Sequence, residues 1–411
     1  MLQALRIRDF RLLWGGSLVS ALGSWLLILA IPAHVFLATG SLRDTGLTLA
    51  AQYLPLLVLG PVAGVFTDRW DRRRLMIATN LFRAGAVAIM LLGTAPGHYW
   101  VLYVALIAES SGGVLYSPAA QARTPAIVGT GTLLSSANSL NAFSDGATRL
   151  IGGPLGGVLL AVCGIKWLIC GDALSYLVSA GAMFMTSRSD SERAGRKTTI
   201  GGVARDLVDG VHVLRRQPVT RALLPVTVVF VAANTSLSAV LIPLGVQRLG
   251  GTEHTGFLLS CLGAGFLVGA PVLRALLDRT QPRNLLTVSL TVTAVAFFLL
   301  FSSSSLTTAL PAAVGIGLFG SMCQVIPLTA MQRVIPNAVL GRVSAVFLTA
   351  EAAATLTGAV AGPFLAQAVH FNGVAIVASL VTLSAAAITF LTVPRMPAII
   401  LARFPIAETR Q

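Results

Sequence analysis

Charge is scarce in this chain. Asp, Glu, Lys and Arg make up 11% of its 411 residues, against 55% hydrophobic residues and a mean hydropathy of +0.82. A soluble domain carries about a quarter of its residues charged, so a water-facing globule is excluded and a polytopic membrane protein is implied. Cysteine is nearly absent as well: Cys163, Cys170, Cys261 and Cys323 each sit in or at the end of an apolar run, with no metal-ligand spacing. That excludes a zinc module and a disulfide scaffold, and leaves buried thiols as the expected state. There is no phosphate-binding glycine loop before a Lys-Ser/Thr pair and no nucleophile motif with a strand-turn-helix context. An enzyme is therefore not expected, nor is a cofactor or a metal site, and energy for any work must come from an ion gradient. Acids are outnumbered, 15 Asp and Glu to 29 Lys and Arg, for a net charge of +14. Nucleic acid would need that excess on one solvated face. Here the arginines fall between apolar runs, as markers of topology do, so no nucleic-acid partner is expected.

What is abundant is apolar sequence in lengths of about 20 residues, enough to cross a bilayer. Such stretches recur near 12–38, 45–67, 75–93, 99–121, 138–163 and 167–186, then near 222–248, 255–276, 285–303, 306–331, 343–369 and 372–393. One set of connections holds Arg6, Arg8, Arg11, Arg69, Arg72, Arg73, Arg74, Arg123, the 188–221 stretch, Arg279, Arg283, Arg333, Arg342 and a tail with Arg395, Arg403 and Arg410. The other set holds Arg43, Lys166 and Arg248. The positive-inside bias then puts both termini in the cytoplasm of a multi-pass protein of the cytoplasmic (inner) membrane. The apolar stretch after MLQALRIRDFRLLW is too long for a signal-peptide core, so the first span is expected to be retained.

Landmarks repeat at a nearly constant offset. Asp68-Arg69 and Asp278-Arg279 stand 210 residues apart, Pro154 and Pro363 stand 209 apart, and Pro125 and Pro336 stand 211 apart. This argues duplication of a six-helix unit. The predicted architecture is all-α, with twelve transmembrane helices in two pseudo-symmetric six-helix bundles, 1–187 and 222–394. A cytoplasmic linker, 188–221, and a cytoplasmic tail, 395–411, complete the chain. Within the linker, Val203, Leu207, Val211 and Leu214 recur at helical spacing opposite Arg205, Asp209 and Arg216. The pattern predicts an amphipathic helix lying on the inner leaflet and ended by Pro218.

Three groups of residues carry candidate chemistry. The first is the Gly60–Arg74 stretch, GPVAGVFTDRWDRRR. Asp68 sits at a helix carboxyl end, where the macrodipole disfavours an anion. It therefore needs a partner: Arg69, Arg72, Arg73 or Arg74, Arg123, or the amino end of the eleventh span around Gly341, Arg342 and Val343. The second is IGGPLGG in the fifth span, where Pro154 removes a donor and Gly153, Gly156 and Gly157 permit close helix approach. The third is the set of ionisable residues inside spans, which are functional candidates by default. Glu109 lies mid-span with no cation within four residues in sequence, which makes it the leading proton-coupling candidate, followed by Asp145 and Glu351. The rival reading locks Glu109 to Arg83 or Arg149 across a helix interface. Asp145 and Arg149 are spaced to pair along one helix face. Asp172 is expected to be structural near a helix end, Arg83 to snorkel, and His34 to be a packed histidine.

Gly64-x3-Asp68-Arg69-x2-Arg72-Arg73 resembles the loop signature of major facilitator superfamily transporters, with Asp71 where that signature has a glycine. Gly153, Pro154, Gly156 and Gly157 are similar to the core of its exporter signature. FRLLW, GVFTDRWDRRR, Glu109 before small residues, LVDGVHVLRRQP and LGRVSAVF resemble the branch of enterobactin exporters and macrolide efflux proteins. The resemblance implies a monomeric carrier that exports a small, partly hydrophobic, drug- or siderophore-like compound by proton antiport, with no cofactor beyond the proton gradient. Its substrate would sit near mid-membrane among spans 1, 4, 5, 7, 10 and 11. His34, Phe36, Phe143, Arg149, Phe230, Phe319 and Phe347 are the cavity candidates. Gly64, Asp68, Arg69, Arg72, Arg73, Asp278, Arg279 and Arg342 are the gating set. A proton-coupled nutrient importer of the same fold and a non-transporting membrane sensor are the alternatives.

Overall fold

In hydrocarbon no water is available to a peptide group, so each apolar run must satisfy its backbone internally, and it does so as a helix. The computed structural model describes residues 2–129, 132–187, 200–249, 252–277, 280–335 and 337–395. Asp278 and Arg279 lie outside the described residues, as do the side chains of residues 64–69, Arg149, Pro154 and Arg333 and the surroundings of Gly153 and Gly341. The helices are α1 (Arg8–Thr39), α2 (Leu42–Arg69), α3 (Arg72–Ile89), α4 (Tyr99–Val128), α5 (Thr132–Cys163), α6 (Ile165–Phe184) and α7 (Ile200–Arg216). They continue as α8 (Pro218–Arg248), α9 (Thr252–Leu277), α10 (Pro282–Ser302), α11 (Leu306–Val334) and α12 (Asn337–Thr392). No strand occurs among the described residues. α12 breaks at His370, which has a left-handed φ of 60°. Among the described residues nine helices are long and apolar enough to cross a membrane, with the two arms of α12 counted as one.

Short connections reverse the chain sharply. Gly40, at φ 65°, closes α1 by donating its N–H to the Phe36 carbonyl. At the next corner Asp71 caps α3, accepting from the Arg74 N–H at 2.7 Å. That contact explains why an aspartate serves where the related signature has glycine: the position is a helix N-cap. Large apolar side chains such as Val58, Leu92, Val104, Leu174 and Leu380 stand exposed on the helices, a surface stable in lipid and not in water.

The chain divides into two compact units, Met1–Ala204 with Ile242–Ser260, and Arg205–Leu241 with Cys261–Gln411. The division proposed from sequence assigns 242–260 to the second bundle; the compact units do not follow that line. In the first unit α1 packs on α5 and α6, α4 packs on α2 and α3, and α3 packs on α6. In the second, α10 packs on α11 and α12.

A similar close approach of two helices occurs in each unit. A Cβ at Gly156 of α5 would meet the Leu26 carbonyl oxygen of α1 at 2.5 Å, and one at Gly362 of α12 would meet the Ser236 carbonyl oxygen of α8 at 2.2 Å. Leu26 and Ser236 are 210 residues apart and the two glycines 206 apart, so the two contacts are alike in kind without sharing one offset.

Candidate functional site

α6 carries a polar stripe that the sequence analysis passed over. Asp172, Ser175, Tyr176 and Ser179 recur at i, i+3, i+4 and i+7, which is one helix face, and all four are buried. α3 answers with Asn80, whose amide donates to Ser179 Oγ at 3.0 Å, and with Arg83 one turn further on. α4 contributes Glu109. A ring of polar groups thus closes inside an apolar bundle.

At its centre Arg83 donates to Glu109 Oε1 from Nε at 3.0 Å and from Nη2 at 2.6 Å. Tyr176 donates to the same oxygen at 2.6 Å while its hydroxyl accepts from Arg83 Nη2. The guanidinium also lies 4.1 Å from the Tyr176 ring centre, close enough for a cation–π contact. Ser110 donates to Glu109 Oε2 at 3.3 Å, and Ser24 of α1 bonds the Tyr176 hydroxyl at 2.7 Å. Glu109 is 8% exposed, Tyr176 0% and Asp172 2%. The Arg83 stem reaches across because α4 offers Gly112 there; a Cβ would lie 2.5 Å from Arg83 Cγ.

Asp172 completes the cluster. Its Oδ1 accepts from Ser175 Oγ at 3.0 Å, and it interacts electrostatically with both Glu109 and Arg83. Gly23 of α1 makes room for it, since a Cβ at that position would meet Asp172 Oδ1 at 2.2 Å. A small cavity of about 20 Å³ is lined by Glu109, Asp172, Ser24 and Gln52 among others.

A larger cavity, about 360 Å³, lies beside the cluster in the same unit. Trp14, Ser17 and Trp25 of α1, Tyr116 and Gln121 of α4, and Asn141 and Asp145 of α5 are among its walls, and Arg83 reaches it from α3. Trp14 donates its indole N–H to Ser144 at 2.8 Å and Ser17 bonds the Tyr116 hydroxyl at 2.7 Å, which fixes two of the rings.

Several sequence expectations change against this geometry. Glu109 has no cation near it in sequence, yet Arg83, 26 residues earlier, neutralises it across the α3–α4 interface. Arg83 does not snorkel. Asp172 is not near a helix end but seven residues inside α6 and buried. The aromatic walls of the larger cavity come from Trp14, Trp25 and Tyr116. Neither His34, Phe36 nor Phe143 is among its lining residues. His34 is partly buried and its Nε2 has no hydrogen-bond partner among the described residues. Phe36, Phe230 and Phe347 are buried and Phe143 is exposed, while Phe319 is intermediate. Glu351 is half-buried on α12.

Of the gating set, Arg72 donates to the Ala122 carbonyl at 3.3 Å, and Arg73 donates to the carbonyls of Met183 and Phe184. These arginines tie α3 to the ends of α4 and α6. Arg123, fully buried, donates to Thr186 Oγ1 at 3.1 Å and to the Ser187 carbonyl at 2.9 Å. Arg342 bonds Asp209 of α7 at 3.4 Å. The linker helix is therefore set against the start of α12: a Cβ at its Gly210 would lie 2.5 Å from the Arg342 carbonyl oxygen. The sequence expectation placed that face on the lipid.

Comparisons with known proteins agree with this architecture. The chain is 25% identical over 283 residues to macrolide efflux protein A of Streptococcus pyogenes, a match covering 67% of this chain and 68% of that protein. It is 26% identical over 295 residues to the multidrug efflux pump Tap of Mycolicibacterium fortuitum, covering 68% and 71%. With the MFS-type transporter YfiS of Bacillus subtilis it shares 27% identity over 260 residues, which is 62% of this chain and 61% of that protein's length. Among solved structures, the nucleoside transporter NupG superposes with a TM-score of 0.72 at 10% identity over 95% of this chain and all of that one. A POT family transporter in complex with 5-aminolevulinic acid gives 0.72 at 14% identity, covering 94% and 96%. The model of the Major Facilitator Superfamily matches residues 13–356 and 226–403. The all-helical architecture and this match lead to one conclusion: the chain belongs to the Major Facilitator Superfamily, and within it resembles the efflux proteins.

Proposed function

We propose that this chain is a secondary active transporter that exports a small, partly hydrophobic compound across the cytoplasmic membrane in exchange for protons. The observation that carries the reading is Arg83, which belongs both to the wall of the 360 Å³ cavity and to the buried ion cluster. Proton-driven transport needs a binding cavity and a proton-sensitive charge that sense each other, and one side chain here touches both. The cavity's aromatic rings suit a molecule with an apolar body. Macrolide efflux and multidrug efflux, the activities named for two relatives, support the outward direction and the drug-like class. A single chain suffices as the working unit, with both termini cytoplasmic on the arginine asymmetry. Asp68, with the arginines around it, is proposed as the cytoplasmic gate, so Asp68→Asn is expected to stop transport while substrate binding survives.

Inverted membrane vesicles with an imposed proton gradient test the reading against a panel holding a macrolide, a peptide antibiotic and a siderophore. Accumulation inside them that a protonophore collapses is the expected result. Accumulation in right-side-out vesicles instead makes the chain an importer. No movement of any panel member by correctly inserted protein favours a non-transporting role.

A further inference from the structure

We infer that the proton exchanged by this chain resides on Asp172, while Glu109 stays ionised as the fixed counterion of Arg83. The inference rests on the proton-coupled reading above and names the atom group that carries the coupling.

The argument begins with a charge count. The buried cluster holds two carboxyls and one guanidinium, and arginine stays protonated at any pH a cell reaches. With both carboxyls ionised the cluster has a net charge of −1 inside a membrane span, where an uncompensated charge is costly. With one proton bound it is neutral. Donor geometry decides which carboxyl takes the proton, because hydrogen bonds to a carboxylate favour its charged form. Glu109 Oε1 receives three donor groups, Arg83 Nε, Arg83 Nη2 and Tyr176 OH, and Ser110 reaches Oε2. Asp172 receives one hydroxyl, from Ser175, among the described residues. The charge belongs on Glu109 and the proton on Asp172.

Among the described residues, Glu109 and Arg83 are the charged groups that act on Asp172. α1 faces Asp172 with Gly23 and carries its charged and titratable residues, Arg8, Asp9, Arg11 and His34, toward its two ends. Tyr116 of α4 bonds Ser17. Asp145 of α5 lies in the wall of the larger cavity and Lys166 of α6 is exposed at the helix start, while the Arg149 side chain lies outside the described residues.

An exit exists. The 20 Å³ cavity touching Asp172 and Glu109 has room for about one water. The exchange step is then the loss of H⁺ from the Asp172 carboxylic acid to that water, leaving a carboxylate, with no other bond made or broken. The new charge competes with Glu109 for Arg83, and a guanidinium drawn toward Asp172 changes the charge presented to the larger cavity. That competition would link the proton to the transported molecule.

Infrared spectroscopy of the full chain in liposomes tests the assignment without any substrate. At neutral pH a carboxylic-acid C=O band is expected that shifts when aspartate is carbon-13 labelled and does not shift when glutamate is. Asp172→Asn should abolish it, whereas Glu109→Gln and Asp145→Asn should leave it. A band that follows the glutamate label, a band that survives Asp172→Asn, or no such band overturns the assignment. The labelled native chain decides alone where Asp172→Asn does not insert. Vesicle transport of a macrolide is measured separately: an aspartate band without proton-driven accumulation puts the exporter reading at fault and leaves the site standing.

Discussion

At the scale of single residues, the chain shows how much of a buried ion cluster a sequence conceals. Glu109 was recognisable, because an acid in the middle of an apolar run must have a purpose. Arg83 and Arg149 are both cations that could face it across a helix interface, and nothing in the spacing of 26 residues chooses Arg83. Tyr176 carries no signal by itself, since a lone tyrosine in a membrane helix is common. The signal that was present is the α6 stripe of Asp172, Ser175, Tyr176 and Ser179, a polar face in an apolar helix, which in lipid must be buried against another polar group. The pairing makes a testable statement about energy. Removing one partner of a buried ion pair strands the other and typically costs about 3–5 kcal/mol, whereas replacing both with apolar residues is often nearly neutral. Glu109→Leu and Arg83→Leu are each expected to lower the thermal midpoint of the purified protein, and the double variant to regain most of the loss. Strictly additive losses would show that the pair is not coupled. Tyr176→Phe, which removes one hydroxyl and leaves the ion pair, should cost about 1 kcal/mol.

Helices were the most legible level, and the linker helix shows where that legibility stops. Val203, Leu207, Val211 and Leu214 lead to the expectation of an amphipathic helix before Pro218, and α7 runs over Ile200–Arg216. Periodicity says that one face is apolar; it does not say what covers it. Gly210 supplies the answer, because a residue without a side chain lets the helix backbone come against the Arg342 carbonyl at the start of α12. The accompanying Asp209–Arg342 pair has side chains 47% and 45% exposed, so it is worth at most about 1 kcal/mol. The close approach is the larger effect. Gly210→Val should therefore detach α7, read as new protease cleavage within 200–216 from the cytoplasmic side, while Asp209→Asn leaves cleavage unchanged. Equal cleavage of both variants would transfer the docking role to the ion pair.

For the molecule as a whole, the repeat seen in the sequence as three offsets is accompanied by a similar contact in each unit, Gly156 on Leu26 and Gly362 on Ser236. Small residues that admit a neighbouring backbone are a main source of helix association in lipid. Gly156→Ala and Gly362→Ala should both destabilise their bundles by about 1–3 kcal/mol through overpacking. Gly157→Ala, whose Cβ would find its nearest neighbour at 3.7 Å, should be close to neutral. What neither repeat nor packing decides is which end of each bundle faces the cytoplasm, and here the charge pattern supplies the prediction. Arg8, Arg11, Arg72, Arg73, Arg74 and Arg123 gather at the end where α1 and α3 begin, and the opposite end, where α2, α4 and α6 begin, holds Arg43 and Lys166. Exposed Trp100 and Trp167 lie at the starts of α4 and α6, and exposed Trp70 lies between α2 and α3, as interface-anchoring rings do at both faces of a bilayer. Each lysine or arginine moved to the wrong side opposes the bias that sets orientation during insertion, so the asymmetry should fix one topology. In a variant freed of its four native cysteines, Arg43→Cys should react with a membrane-impermeant thiol reagent applied to intact cells, and Arg74→Cys only after the cells are opened. Labelling of Arg74→Cys in intact cells would reverse the topology, and with it the direction of transport that inverted vesicles are expected to report.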